Sequence, residues 1–406
     1  MADQSSRCPF PLDRRGFVRG SLAAGAALTL GAPPAAAAPR QTTRPRATVP
    51  FHGPHQAGIT EPAPGYAVFA VYDVLAPDRA ALERLLRALT DRARLLTEGT
   101  PAPDDNGMLG PTAPADGLTV TVGVGASLFD SRYGLHRAKP VRLGPMPAFP
   151  GDEVREAESA GDLSLQLCAA DQDAVLHALR SLGAAAGDLV RPRWRVDGFQ
   201  NPPRPEHNPR NLMGFHDGVA NPDTGSAREL DHLVWVTANS AEPAWATGGS
   251  YQVLRTIRMR VEEWERLPVA DQERIIGRHR DTGAPLGGTR IEDRPDYRKD
   301  PDGKVIPLTA HIRLANPQTP ATEDSRILRR GYNYDRGIAP DGGQEMGLQF
   351  CCYNQDPARQ FEAVQHRLAR EPLAAYLQVT GGGYFFALPG VRDRDDHYGS
   401  GLLAAV

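Results

Sequence analysis

Four cysteines in 406 residues are too few, and too poorly spaced, for cysteine chemistry to organise this chain. Cys8 lies near the N-terminus, and Cys168, Cys351 and Cys352 make no CxxC or other zinc spacing, so neither a disulfide framework nor a zinc site is expected. Basic excess is missing too. A formal net charge of −3 with 23% charged residues excludes the electrostatic footprint of a nucleic-acid binder or of adhesion to anionic membranes. No apolar run reaches the roughly 20 residues that a bilayer crossing takes, so the mature chain should carry no stable membrane span. Proline and glycine, by contrast, are plentiful at 37 and 41 residues, and 40% of the chain is hydrophobic. That combination predicts a sizeable core, two domains, and long ordered loops of the kind from which enzymes build sites.

Residues 1–45 read as targeting rather than fold. Asp13-Arg14-Arg15-Gly16-Phe17 places a twin arginine before a weakly apolar run, Gly20 to Leu30, and the run ends in the small residues of "APPAAAA". This is the pattern of a twin-arginine export signal, with cleavage expected within Ala35 to Ala38 and a periplasmic or extracellular product. Such export often follows folding around a cofactor acquired in the cytoplasm.

The rest of the chain alternates strand-like and helix-like segments. "YAVFAVYDV" (66–74), "LTVTVGVG" (118–125) and "DLSLQLCAA" (162–170) predict strands, while residues 78–99 and 172–183 predict amphipathic helices. Strand, helix, strand, strand, helix is the ferredoxin-like order, with an antiparallel sheet. The pattern returns with "LVWVTANS" (233–240) as a strand, 261–278 as a helix, "MGLQFCCYN" (346–354) as a strand, 360–369 as a helix and "GGGYFFALPG" (381–390) as a closing strand. The expected fold is therefore α+β, with two ferredoxin-like domains over 46–210 and 211–406. The proline-rich stretch 201–211 forms the junction, and two halves fit the pattern better than one sheet.

"GFHDGVANP" (214–222) lies at that seam, where a cleft would form. Asp217 between Gly214 and Gly218 reads by itself as a turn, since Asx side chains bond nearby backbone. "LTAHIRLANP" (308–317) adds His311 in an otherwise extended segment, and "RILRRGYNY" (326–334) adds two adjacent arginines. Histidine, arginine and aspartate in loops of one seam suit a metal or haem site, which spacing alone does not decide. Three other segments carry less: "HGPH" (52–55) has no nearby acids, "TGGGY" (380–384) leads into a strand and not a helix, and "DRDDHYGS" (393–400) reads as a solvated tail.

Taken together and in order, "GFHDGVANP", "AHIRLANP", "RILRRGYNY" and "GGGYFFALPG" resemble the dye-decolorizing peroxidases, specifically their twin-arginine-exported, deferrochelatase-like branch. The resemblance runs from "FHGPHQAGIT" (51–60) nearly to the C-terminus. His216 departs from it, since the branch often has lysine or arginine there. The resemblance implies a dimeric α+β-barrel type of fold, one haem b per chain held mainly by the C-terminal domain, and hydrogen peroxide and an aromatic reductant as substrates. It makes His311 the proximal iron ligand, Asp217 the distal proton shuttle and Gly218 a neighbour of the cofactor. Arg329 becomes the distal arginine in preference to Arg330, because the family's arginine is commonly 18 residues past the histidine.

Glu371 and Asp324 are then candidates for the acid that bonds the far nitrogen of His311, and Arg313 for a haem-propionate partner. A ferryl haem would form, and Tyr332, Tyr376, Tyr384 or Trp264 could pass electrons from bulky dyes. Two other functions fit the same residues: release of iron from haem with the porphyrin left intact, and haem carriage. A homo-oligomer and an exported iron- or copper-handling partner are compatible with this reading.

Overall fold

Both faces of the strand Tyr66–Val74 (β1) are covered, which explains a nearly unbroken apolar run in an antiparallel setting. Val68, Ala70 and Tyr72 join one hydrophobic cluster, and Ala67, Phe69 and Val71 another, the period-two division that a pleated strand imposes. The computed structural model describes residues 48–105, 107–110, 114–204 and 208–405. The expected twin-arginine segment and part of the proline-rich junction lie outside these residues.

Helix α1 spans Arg79–Glu98, starting where the Asp78 carboxylate accepts the Ala81 N–H at 2.7 Å and stopping at left-handed Gly99. Leu82, Leu85, Leu86 and Leu89 form its buried stripe, each contributing about 1.5–3 kcal/mol by leaving water. Strands β2 (Thr119–Gly125) and β3 (Leu163–Ala169), helix α2 (Gln172–Ala186) and strand β4 (Val190–Phe199) complete the first half. The second half comprises α3 (Ala227–Leu233), β5 (Ser250–Met259), α4 (Val261–Glu265), α5 (Val269–Ile276), α6 (His311–Ala315), β6 (Leu328–Arg329), β7 (Tyr332–Ile338), β8 (Gln344–Asn354), α7 (Ala363–Leu368), β9 (Leu377–Ala387) and α8 (Ser400–Ala404).

The strands run β5-β9-β2-β3-β1-β4-β7-β8-β6, and β5 also pairs with β8, so eight strands close into a barrel with β6 attached to β8. The antiparallel α+β build is as expected. The halves nevertheless share one sheet, joined by three residue pairs between β2 and β9 and by Phe199 with Asn333 between β4 and β7. Phe69, Cys168, Leu254, Tyr332, Tyr353 and Phe385 pack inside.

Several local expectations need correction. "LVWVTANS" is not a strand: Leu233 ends α3, and Val234 to Val236 are buried in a loop. The strand nearby is β5, which escaped notice because buried Gln252, Arg255 and Thr256 interrupt its apolar pattern. Each has a side-chain partner in place, Tyr353, Asp152 and Gln349 respectively. The helix expected over 261–278 is two helices, since Pro268 cannot donate a backbone hydrogen bond; the Gln272 amide caps the broken turn through Trp264 O and Leu267 O. A π-helical turn over Ala358–Glu362 precedes α7. His311 does not sit in extended chain but opens α6, which ends at Asn316 before Pro317. Among the described residues, no helix is long and apolar enough to cross a membrane.

Replacing Asp78 with alanine is expected to lower stability by about 1 kcal/mol and Leu85→Ala by about 2–5 kcal/mol, read from urea unfolding midpoints. Equal midpoints for Leu85→Ala and the parent would contradict the packing described for α1.

Candidate active site

Asp217 is fixed by two asparagines and a small hydrophobic cluster. The Asn211 side chain accepts from the Met213 and Phe215 amides at 3.0 and 3.2 Å, shaping the turn. Met213 and Phe215 then pack with Trp264, Ile276 and Leu373, and the Trp264 indole donates to Met213 O at 3.0 Å. The Asp217 amide donates to Pro209 O at 3.0 Å, and Asn208 donates to Asp217 O at 2.8 Å. Gly218 follows at φ +73°, where a Cβ would stand 3.3 Å from the Asn208 amide nitrogen, so a side chain there is both strained and crowded. Its N–H donates to Asp217 Oδ1 at 2.6 Å.

Strand parity separates the two arginines. Arg329, on β6 opposite Cys352, points toward Asp217 and donates from Nη1 to Oδ1 at 3.2 Å. Arg330 points the other way, buried, and donates to the carbonyls of Glu61 and Pro62. Asn221 holds Arg329 from both sides, accepting from its amide at 3.1 Å and donating to its carbonyl at 2.8 Å. Nothing in "GFHDGVANP" marks Asn221 beyond its place before Pro222; its role depends on a partner 108 residues away.

His311 meets Glu371 across 60 residues, with Nδ1 to Oε2 at 2.7 Å. Glu371 is almost fully buried and begins the turn Pro372–Tyr376, whose Leu373 belongs to the cluster beneath Asp217. A carboxylate accepts, so Nδ1 carries the proton and the neutral ring keeps its lone pair on Nε2. Nε2 makes no hydrogen bond among the described residues, and the ring is a quarter exposed at 26%. Burial pushes the imidazole down, but Glu371 outweighs it and the net shift is upward; Arg329 and Asp217 also act on the ring, which places them within electrostatic reach of it.

The remaining predicted residues lie elsewhere. Asp324 is exposed and pairs with His232 at 2.7 Å, so Glu371 alone of the two candidates bonds His311. Arg313 is occupied by Asp300 at 3.3 Å and by the carbonyls of Ile306 and Asp300, with its guanidinium over Tyr297. Its role is to tie the loop before α6 to the helix. Tyr332 is buried inside the barrel, Tyr384 donates to Glu362 at 3.1 Å, and Trp264 stands edge-on to Tyr376. The Cys351 and Cys352 thiols are fully buried and pushed well up by desolvation, as expected of small core hydrophobes. In "HGPH", His52 accepts from Arg94 and His55 stacks on Trp235. Among the described residues, no three His, Cys, Asp or Glu side chains gather to hold a bare metal ion.

A histidine tied to a buried carboxylate through one nitrogen, with the other nitrogen free, fits axial ligation of haem iron. An aspartate and an arginine within reach of that ring fit the reacting side.

Known proteins resemble this chain in sequence and in fold. Residues 56–200 match the family model for the N-terminal part of Dyp-type peroxidases, and residues 208–392 match that for the C-terminal part. A protein named deferrochelatase from Escherichia coli (strain K12) is 48% identical over 367 residues, 87% of each chain. Among solved structures, a DyP-type peroxidase from Cellulomonas bogoriensis superposes with a TM-score of 0.81 at 36% identity, covering 88% of this chain and 99% of that one. Ferric DtpA from Streptomyces lividans gives 0.82 at 36%, covering 89% and 98%.

NMR titration of the haem-free protein should find His311 titrating above the ordinary imidazole value of about 6.5, and below it in Glu371→Gln, where nothing outweighs burial. Because the folded value is raised, the stabilisation from this pair is complete below the ordinary value and is lost as pH rises through the raised one. A His311 titration unmoved by Glu371→Gln would refute this account of the pair.

Proposed function

Because the chain belongs to the Dyp-type peroxidase family, and is thus a haem b enzyme that reduces hydrogen peroxide at the expense of a reductant, we propose a division of labour among its residues. Hydrogen peroxide takes up two electrons and two protons to give two waters, and two molecules of an aromatic reductant each give one electron. Bound haem supplies the redox-active iron. His311 would hold it through Nε2, while Glu371 holds the Nδ1 proton, fixing the tautomer and raising the basicity of the ring. Asp217 carries a proton between the inner and outer oxygens of the peroxide. Its Oδ1 is occupied by Gly218 N–H and Arg329, which leaves Oδ2 for the transfer. Arg329 offsets the negative charge that develops as the O–O bond breaks, and Asn221 positions it.

The observation that carries this reading is the 2.7 Å bond from His311 to a buried glutamate, beside an Asp217–Arg329 pair joined at 3.2 Å. A carrier would have no use for that pair. A second reading is favoured by the name of the 48% identical relative: removal of iron from haem with the porphyrin kept whole. The same ligand would serve both activities.

We further read Arg14-Arg15 and the small residues after them as a twin-arginine export signal, which puts the enzyme outside the cytoplasmic membrane. On this reading the working unit is a ferredoxin-like half over 46–210 and a haem-binding half over 211–406. Self-association and an exported iron- or copper-handling partner are compatible with it.

Haem-loaded protein should oxidise an anthraquinone dye only with peroxide, and His311→Ala should lose both that activity and the Soret band. Asp217→Asn should slow the peroxide step by about 10²–10⁴-fold in stopped-flow spectra; an unchanged rate refutes its proton role. Incubation with haem and chromatography for protoporphyrin tests the second reading, which fails if only haem is recovered.

A further inference from the structure

Three arginines are buried among the described residues: Arg255, Arg278 and Arg330, at 2%, 8% and 5% exposure. Two of them have an acid. Arg255 forms an ion pair with buried Asp152, and Arg330, donating to Glu61 O, has the Glu61 carboxylate in electrostatic reach. Arg278 has none. Its Nη1 donates to Gly283 O at 2.7 Å and Ile291 O at 3.3 Å, and no carboxylate bonds it among the described residues. Nε and Nη2 make no hydrogen bond there, yet they are not among the sealed-in polar atoms. Besides the Tyr297 phenol, the charged group that acts on Arg278 is Arg329, another cation. A buried cation facing a second cation without an anion is a costly arrangement, and arginine cannot relieve it by losing its proton.

The location of Arg278 suggests what supplies the missing charge. Gly277, immediately before it, is left-handed and packs so closely that a Cβ there would lie 2.7 Å from Ile312 Cγ1 and 3.2 Å from Ala310 Cβ, the residues on either side of His311. Gly283, whose carbonyl accepts from Arg278, is equally close to His216: a Cβ there would lie 2.8 Å from His216 Cδ2, one residue before Asp217. Arg278 therefore spans the two walls of the candidate site, one carrying the iron ligand and the other the distal acid. Arg313, the sequence-based candidate for a carboxylate partner, is already committed to Asp300.

We propose that Arg278 anchors a carboxylate of the bound tetrapyrrole, so that this site selects porphyrins carrying free propionates. The proposal rests on haem being the cofactor. A guanidinium backed by two carbonyls presents its remaining N–H groups in a fixed fork, suited to a carboxylate through charge-assisted hydrogen bonds.

The test titrates the haem-free protein with haemin and, separately, with haemin dimethyl ester, in which both carboxylates are capped, following the Soret band and tryptophan quenching. The wild-type chain should prefer haemin by about ten- to 100-fold, the range for loss of a charge-assisted hydrogen bond. Arg278→Met should weaken haemin binding by a similar factor and leave ester binding unchanged, which separates Arg278 from any other contact to the propionates. A wild-type protein that binds both equally, or an Arg278→Met protein that keeps the wild-type preference, overturns the proposal. Should circular dichroism show that Arg278→Met does not fold, Arg278→Lys replaces it: lysine keeps the charge but loses the fork, so an unchanged preference for haemin overturns the proposal. Absence of a Soret band with either porphyrin in the wild type would overturn the haem assignment itself.

Discussion

One hydrogen bond orders this site: His311 Nδ1 to Glu371 Oε2, at 2.7 Å. It joins two short elements that have little stability of their own, a five-residue helix and a single 3-10 turn. Their positions come from packing. Leu373, two residues past Glu371, lies in the same cluster as Met213 and Phe215, which set the turn before Asp217. The group that orients the histidine and the group that holds the aspartate thus share one hydrophobic footing, and Trp264 and Ile276 fill it from α4 and α5. Such a footing transmits a misplacement on one side of the site to the other.

The barrel contributes rigidity of another kind. Arg329 lies on a strand of only two residues, yet β8 pairs with it and Asn221 holds its backbone at both amide and carbonyl. Neighbouring Arg330 is turned into the interior by the same pleat. This leaves one guanidinium at the site and one inside the barrel, so adjacent arginines have unrelated work. Buried polar residues of β3, β5 and β8 bond one another across the barrel, with Gln252 donating to Tyr353 and Tyr353 to Gln166. That network lets strands that read as too polar for a core sit within one.

Segments whose pattern reflects their own burial were legible in the sequence. β1, β3 and α1 were found nearly residue for residue, because their apolar periods record contact with a continuous core. Strands with another logic were missed. β4 alternates exposed arginines with Trp194 and Val196, and β5 buries Arg255, whose acid is 103 residues away. "LVWVTANS" misled in the opposite sense, since its apolar residues are buried in a loop and not in a ladder. Of the site, the aspartate, histidine and arginine motifs could be read, and Glu371 could be named only beside Asp324.

By itself the sequence determined the family, the chemical types at the site and the helices and strands with regular apolar periods, since motifs and periodicity are local and survive in one dimension. Tertiary structure decided which acid meets His311, which arginine faces Asp217, that Arg313 serves a loop, and that the two halves close one barrel. Each of those depends on pairing across tens to hundreds of residues, where strand register and packing, unlike spacing along the chain, set the distance between groups.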